Sequence, residues 1–139
     1  MRILVPVDGS DSANRAAAHA VALVKGRADA EIILLNVQRR RSSDISGAIS
    51  VGVNADRALD PSETAFGEAI ELCRAAQVKF DIRSAFGRAA DVINMIADEV
   101  AADQIVMGTR GFSLLESIAL GSVSTEVIQM ARVPITLVK

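Results

Sequence analysis

Arg2-Ile3-Leu4-Val5-Pro6-Val7-Asp8-Gly9-Ser10 opens the chain and sets its fold class. The run is short and aliphatic, and Asp8-Gly9-Ser10 stops it, which is the pattern of a buried strand closed by a turn. Ser10 or Asp11 then offers a helix N-cap, because a short oxygen-bearing side chain accepts from the free N–H groups of a first helical turn. Ala13, Ala16, Ala17, Ala20, Val21 and Val24 follow on one helical face, and Gly26 stands just beyond that stripe as a stop. A buried strand, a tight turn and an amphipathic helix make the first half of a strand–helix–strand unit.

Working outward, the same alternation recurs. Glu31 to Val37 is a second strand, apolar on both faces and therefore interior to a sheet. Gln38 to Leu59 has no regular period, although Ile49, Val51 and Val53 alternate briefly. Loops of that length are uncommon in compact domains and are usually functional or mobile. A second helix is signalled by Asp60 as N-cap, Pro61 at the first helical position and Glu63 behind them, with Phe66, Ala69, Ile70 and Cys73 as its inner face.

Val78 to Arg83 alternates as a half-exposed edge strand. Gly87 opens a third helix with Val92, Ile93, Ile96, Ala97 and Val100 inward. Gln104 to Met107 is a fourth strand closed by Gly108, a fourth helix starts at Gly121-Ser122, and Val133 to Val138 is a fifth strand. Strands alternating with helices at this spacing predict a parallel sheet with helices on both faces. Residues 1–139 read as a single α/β domain.

Composition narrows the function. Fifteen basic and 17 acidic side chains leave a net charge of −2, and only 3% of residues are aromatic, with no Trp or Tyr. A nucleic-acid binder usually needs a basic face and stacking rings, so no nucleic-acid partner is expected. No stretch approaches the ~20 apolar residues of a membrane span, so no membrane partner is expected either. The first apolar run is too short for a secretory leader, and the single cysteine cannot form an internal disulfide. A cytoplasmic location is the expectation.

In an open parallel sheet, ligands bind beyond the carboxyl ends of the strands, where strand order reverses. The segment after the fourth strand reads Gly108-Thr109-Arg110-Gly111, then nine residues, then Gly121-Ser122. Glycines let backbone N–H groups approach an anion and adopt conformations closed to other residues. A helix start at Gly121-Ser122 offers unpaired N–H groups and the positive end of the helix dipole to phosphate. Ser122 adds a hydroxyl, with Ser124 or Thr125 behind it, and Arg110 supplies a bidentate positive charge. By spacing alone, two glycine turns and an ordinary Ser cap read equally well.

Taken together, Ile3 to Ser10, Ile105 to Gly111, Gly121-Ser122-Val123-Ser124 and the closing Val133 to Val138 resemble the universal stress protein family over essentially the whole chain. The resemblance implies a Rossmann-like fold of the adenine-nucleotide alpha-hydrolase-like kind. Its five-stranded parallel sheet has the order 3-2-1-4-5. It further implies a stress-response dimer paired through the last strand, Pro134 to Val138. The family branch with the Gly-x-x-Gly-x9-Gly-Ser/Thr pattern binds ATP, so ATP, ADP or AMP, with or without Mg²⁺, is the implied ligand. By that likeness Gly108, Gly111, Gly121 and Ser122 hold ribose and phosphates, Asp8 reaches adenine or ribose, and the Val37 backbone reads the adenine edge. Pro6, Val7, Met107, Thr109, Arg110, Val123 and Ser124 complete the implied nucleotide site. Phe112 to Glu116 replace the small residue that many binding members carry after the second glycine. That departure predicts weaker binding or a preference for fewer phosphates.

Rival sites fail on their residues. A phosphoacceptor site needs an acidic pair after the first strand, and Val7 is apolar; a dinucleotide site needs Gly-x-Gly-x-x-Gly there, and only Gly9 is present. The Gly-Lys-Ser/Thr of a P-loop occurs nowhere. Asp8 has the alternative role of helix cap. His19 lies off the apolar stripe and reads as solvated, and Cys73 reads as packed. No metal cluster or general base stands out, so no catalytic residue is named, and binding is expected rather than turnover. A scaffold without nucleotide binding and a slow ATPase are the two other readings of this fold. Arg39-Arg40-Arg41 reads either as a solvated run or as charge folded over bound phosphates.

Overall fold

The computed structural model describes residues 1–38, 64–109 and 120–139. Among the described residues nine elements alternate: β1 (Arg2–Pro6), α1 (Asp11–Val24), β2 (Glu31–Gln38), α2 (Gly67–Ala75), β3 (Phe80–Phe86), α3 (Ala89–Glu99), β4 (Gln104–Gly108), α4 (Ser122–Met130) and β5 (Ile135–Val138). The strands form one sheet of order β3-β2-β1-β4-β5, and every neighbouring pair is parallel. The expected architecture and strand order are therefore observed.

Side-chain alternation along the strands builds two cores. Ile3, Val5, Val7, Ile32, Leu34 and Val106 meet α1 and α2 on one face. Leu4, Ile33, Leu35, Ala85, Ile105 and Met107 meet α3 and α4 on the other. Residues Ile32 to Asn36 are buried without a break, as a strand covered on both faces must be. Each fully buried Leu or Ile here contributes roughly 1.5–3 kcal/mol, so aliphatic packing carries the fold. The α1 stripe of alanines lets that helix lie close against the sheet.

Element limits differ from the sequence reading where backbone bonds override pattern. Val78 does not begin the third strand: its N–H donates to Cys73 O at 3.1 Å and closes the exit of α2 behind Gln77, whose φ is +54°. The fifth strand begins at Ile135, although Pro134 O already accepts from Ile105 N–H at 2.9 Å. Asp60, Pro61 and Glu63, expected at the start of the second helix, lie outside the described residues; Phe66, Ala69 and Cys73 of its inner face are buried.

At the amino ends of the strands the polar groups serve the fold. Arg2 pairs with Glu31 at 3.3 Å, its guanidinium donates to Val100 O, and its N–H meets Asp103 at 2.6 Å. Among the described residues no helix is long and apolar enough to cross a membrane.

Candidate functional site

The carboxyl ends of β1, β2 and β4 lie side by side, and each ends differently. After β1 the chain turns through Asp8 and Gly9, whose φ of +82° only glycine adopts easily. Asp8 Oδ1 accepts from Ser10 N–H at 3.0 Å, and Ser10 Oγ accepts from Ala13 N–H at 3.2 Å. Ser10 is therefore the cap of α1, and the cap role considered for Asp8 is not taken. Asp8 instead braces the turn ahead of the cap, with its side chain exposed.

β2 outlasts β1. Their register ends at Pro6–Leu35, followed by one bond from Val7 N–H to Leu35 O at 2.8 Å. The Asn36 side chain then donates from Nδ2 to Val7 O at 2.8 Å. Beyond that rung Val37 and Gln38 pair only with β3. Asn36 is not among the residues that the sequence pattern singles out, although a lone amide in a buried aliphatic strand is a signal for it.

β4 ends at Gly108. A methyl group there would sit against the Ser12 side chain and 2.8 Å from the Ser12 carbonyl carbon. Gly108 does not have the left-handed backbone expected of it; its missing side chain lets β4 pass beneath α1. Thr109 is held by its N–H to Val138 O at 2.9 Å and by its carbonyl, which accepts from Gly121 N–H at 2.8 Å.

Among the described residues, no side chain caps the start of α4. Gly121 is its N-cap with φ −60° and ψ 153°, a conformation any residue adopts, and it brings no capping side chain. The first bond within the helix is Thr125 N–H to Gly121 O at 3.0 Å. Helix geometry leaves the N–H groups of Ser122, Val123 and Ser124 without a helical carbonyl, at the positive end of the helix dipole. No described residue accepts from them. Ser122 is exposed and Ser124 is buried, its hydroxyl donating to Gly108 O at 3.1 Å. That bond ties the helix start to the end of β4.

These contacts gather Pro6, Val7, Asp8, Val37, Gly108, Thr109, Gly121, Ser122, Val123 and Ser124 along one edge of the sheet. The side chains of Val7 and Met107 face opposite cores, so both offer backbone alone. Arg110, Gly111, Phe112 to Glu116 and Arg39 to Arg41 lie outside the described residues. Cys73 is buried, and burial pushes its thiol up to about 11, away from the thiolate that makes a cysteine reactive. His19 is exposed. Among the described residues no group of three His, Cys, Asp or Glu side chains converges as a metal site.

Chemically, the edge offers backbone donors at α4, an exposed carboxylate at Asp8 and a free length of β2 backbone. The chain is 35% identical to a universal stress protein of Thermus aquaticus, covering 99% of this chain and 97% of that one. It is 32% identical to one from Methanocaldococcus jannaschii, covering 99% and 81%. A solved universal stress protein in complex with cAMP superposes with a TM-score of 0.73 at 25% identity, over 100% of this chain and 96% of that one. The family model described as "Universal stress protein family" matches residues 1–139, and the chain belongs to that family.

Proposed function

We propose that this chain binds an adenine nucleotide, ATP, ADP or AMP, and acts as a regulatory or signalling stress-response protein in the cytoplasm. The observation that carries the reading is the uncapped start of α4 at Gly121. The backbone angles there are ones any residue adopts, and a residue without a side chain brings no cap to the first-turn N–H groups, which suit an anion. The cAMP complex of a relative supports an adenine nucleotide as that anion.

In this reading phosphate sits over Gly121 to Ser124 and the Gly108 to Gly111 loop, with Arg110 as its counter-charge. Ser122, exposed at the first turn, adds a hydroxyl. Asp8 reaches ribose or adenine, and the Val37 backbone reads the base beside Pro6, Val7 and Met107. Mg²⁺ would arrive with the nucleotide and offset the charge of its phosphates. Without a Trp or Tyr, the base is held by backbone hydrogen bonds and aliphatic packing. Calorimetry with ATP, ADP and AMP, with and without Mg²⁺, tests the reading. Saturable heat is expected, strongest with few phosphates if Glu116 crowds the site; no heat with any of the three leaves the scaffold reading in its place.

The same proposal includes a homodimer through Pro134 to Val138. The two edges of the sheet favour this one. β3 carries Asp81 and Arg83, with Arg83 paired to Asp81 at 3.5 Å and Glu99 at 2.8 Å, and such charges deter strand pairing. β5 carries Ile135, Thr136, Leu137 and Val138, with no charge and half-buried throughout. A monomer in sedimentation at micromolar concentration overturns the dimer.

A further inference from the structure

The geometry points to Asn36 as a positioning residue for the base: its side-chain amide takes the place on Val7 O that a longer ladder would give to Val37, and so keeps the Val37 backbone open to an adenine edge. The inference rests on the nucleotide reading above and adds a residue to it. In a parallel ladder one residue gives its N–H to one carbonyl of the neighbouring strand and takes its next bond two residues further on. Val7 N–H donates to Leu35 O at 2.8 Å, so the following rung would run from Val37 N–H to Val7 O. Instead Asn36 Nδ2 donates to that oxygen at 2.8 Å, and no described backbone group joins Val37 to Val7. Asn36 is 7% exposed, so this amide is a built part of the strand end and not a surface contact.

Strand alternation fixes where Val37 looks. Ile32 N–H donates to Lys79 O at 3.0 Å and Gln38 O accepts from Gly87 N–H at 2.9 Å, so the even-numbered residues of β2 turn their backbone toward β3. Val37 therefore turns its N–H and C=O toward β1, which has already left through Asp8 and Gly9. One donor and one acceptor on a single residue match a base edge with an acceptor beside an amine, as in adenine N1 and its exocyclic nitrogen. Guanine presents the reverse order, a ring N–H beside a carbonyl oxygen, and would leave both Val37 groups unpaired. Asn36 thus makes the strand end selective by preventing its closure.

The test compares wild type, Asn36→Leu and Asn36→His, the last retaining a ring N–H donor for Val7 O. Calorimetry is run with AMP, GMP and ribose 5-phosphate, and amide exchange at Val37 is followed by NMR on the nucleotide-free proteins. Wild type is expected to prefer AMP to GMP and to exchange Val37 N–H faster than Leu35 N–H. Asn36→Leu is expected to weaken AMP at least tenfold, leave ribose 5-phosphate unchanged and protect Val37 N–H as the ladder closes. Asn36→His is expected to restore AMP preference. Equal losses of AMP and ribose 5-phosphate would mean a general structural role and overturn the inference, as would unchanged AMP affinity in Asn36→Leu. If Asn36→Leu does not fold, wild-type exchange decides: Val37 N–H as protected as Leu35 N–H overturns it. Wild type that binds none of the three ligands removes the nucleotide reading itself, an outcome distinct from loss of AMP preference alone.

Discussion

Two helices, α1 and α4, begin where adjacent central strands end, yet among the described residues one start has a side-chain cap and the other has none. At α1 the chain satisfies its own groups: Asp8 accepts from Ser10 N–H and Ser10 accepts from Ala13 N–H. At α4 Gly121 provides no cap, and the Ser124 and Thr125 hydroxyls donate to Gly108 O and Gly121 O. Lying at the carboxyl edge of a sheet is thus not sufficient to make an anion site. Among the described residues, what distinguishes the two starts is that a side chain caps the first turn of α1 and none caps that of α4. The glycines of the motif divide in the same way, since Gly108 is required by the approach of α1 whereas Gly121 has a backbone conformation that any residue adopts.

The contrast breaks most sharply at Gly108. Gly108→Ala places a methyl group 2.8 Å from the Ser12 backbone and is expected to cost about 3 kcal/mol, read as a lower urea midpoint. A midpoint unchanged from wild type would return Gly108 to a purely ligand-facing role. Gly121→Asp is the complementary change. Its backbone is already compatible, so stability should move by only a few tenths of a kcal/mol. The new carboxylate closes the helix start, and nucleotide affinity should fall at least tenfold, about 1.4 kcal/mol. Retained affinity would show that α4 is not where phosphate sits.

Ser10→Ala tests the closed start. Loss of the cap is expected to cost about 1 kcal/mol, roughly 3 °C in Tm, with nucleotide affinity unchanged. A loss of affinity instead would make the two starts one site. The smallest effect belongs to a position away from both. Cys73 titrates near 11 in the fold against an ordinary value of 9.0, because burial disfavours the thiolate. The raised value means that its contribution to stability is fully present below pH 9 and is lost as pH rises from 9 through 11. A thiol reagent at pH 8 should therefore label native protein far more slowly than unfolded protein, and equal rates would contradict the packing of α2 against α1.

Most of the architecture was legible because aliphatic runs and helical stripes are local signals. Ile3 to Val5, Ile32 to Leu35 and Ile105 to Met107 can only be buried strands at this length, and the alanine stripe of α1 leaves no other face to bury. Boundaries were less legible. Val78 looks like strand by alternation, but its N–H is taken by Cys73 O, a bond between the last turn of a helix and its exit that no pattern reveals. The candidate site shows in the sequence as residue types, and the structural part each of them plays does not. The glycines at 108 and 121 read alike in the sequence, and Asn36 reads as one polar letter in an apolar strand.

Sequence alone determined that this chain forms alternating strands and helices with an aliphatic core, because side-chain period and turn residues act over a few neighbours. Only the tertiary structure decided which polar groups remain available. Gly108 meets Ser12 across about a hundred residues of chain, Asn36 meets Val7 across a strand gap, and Ser124 meets Gly108 beneath a helix start. A hydrogen-bonding group is free or occupied according to what the fold brings within about 3 Å of it, and that distance is set by packing rather than by order along the chain.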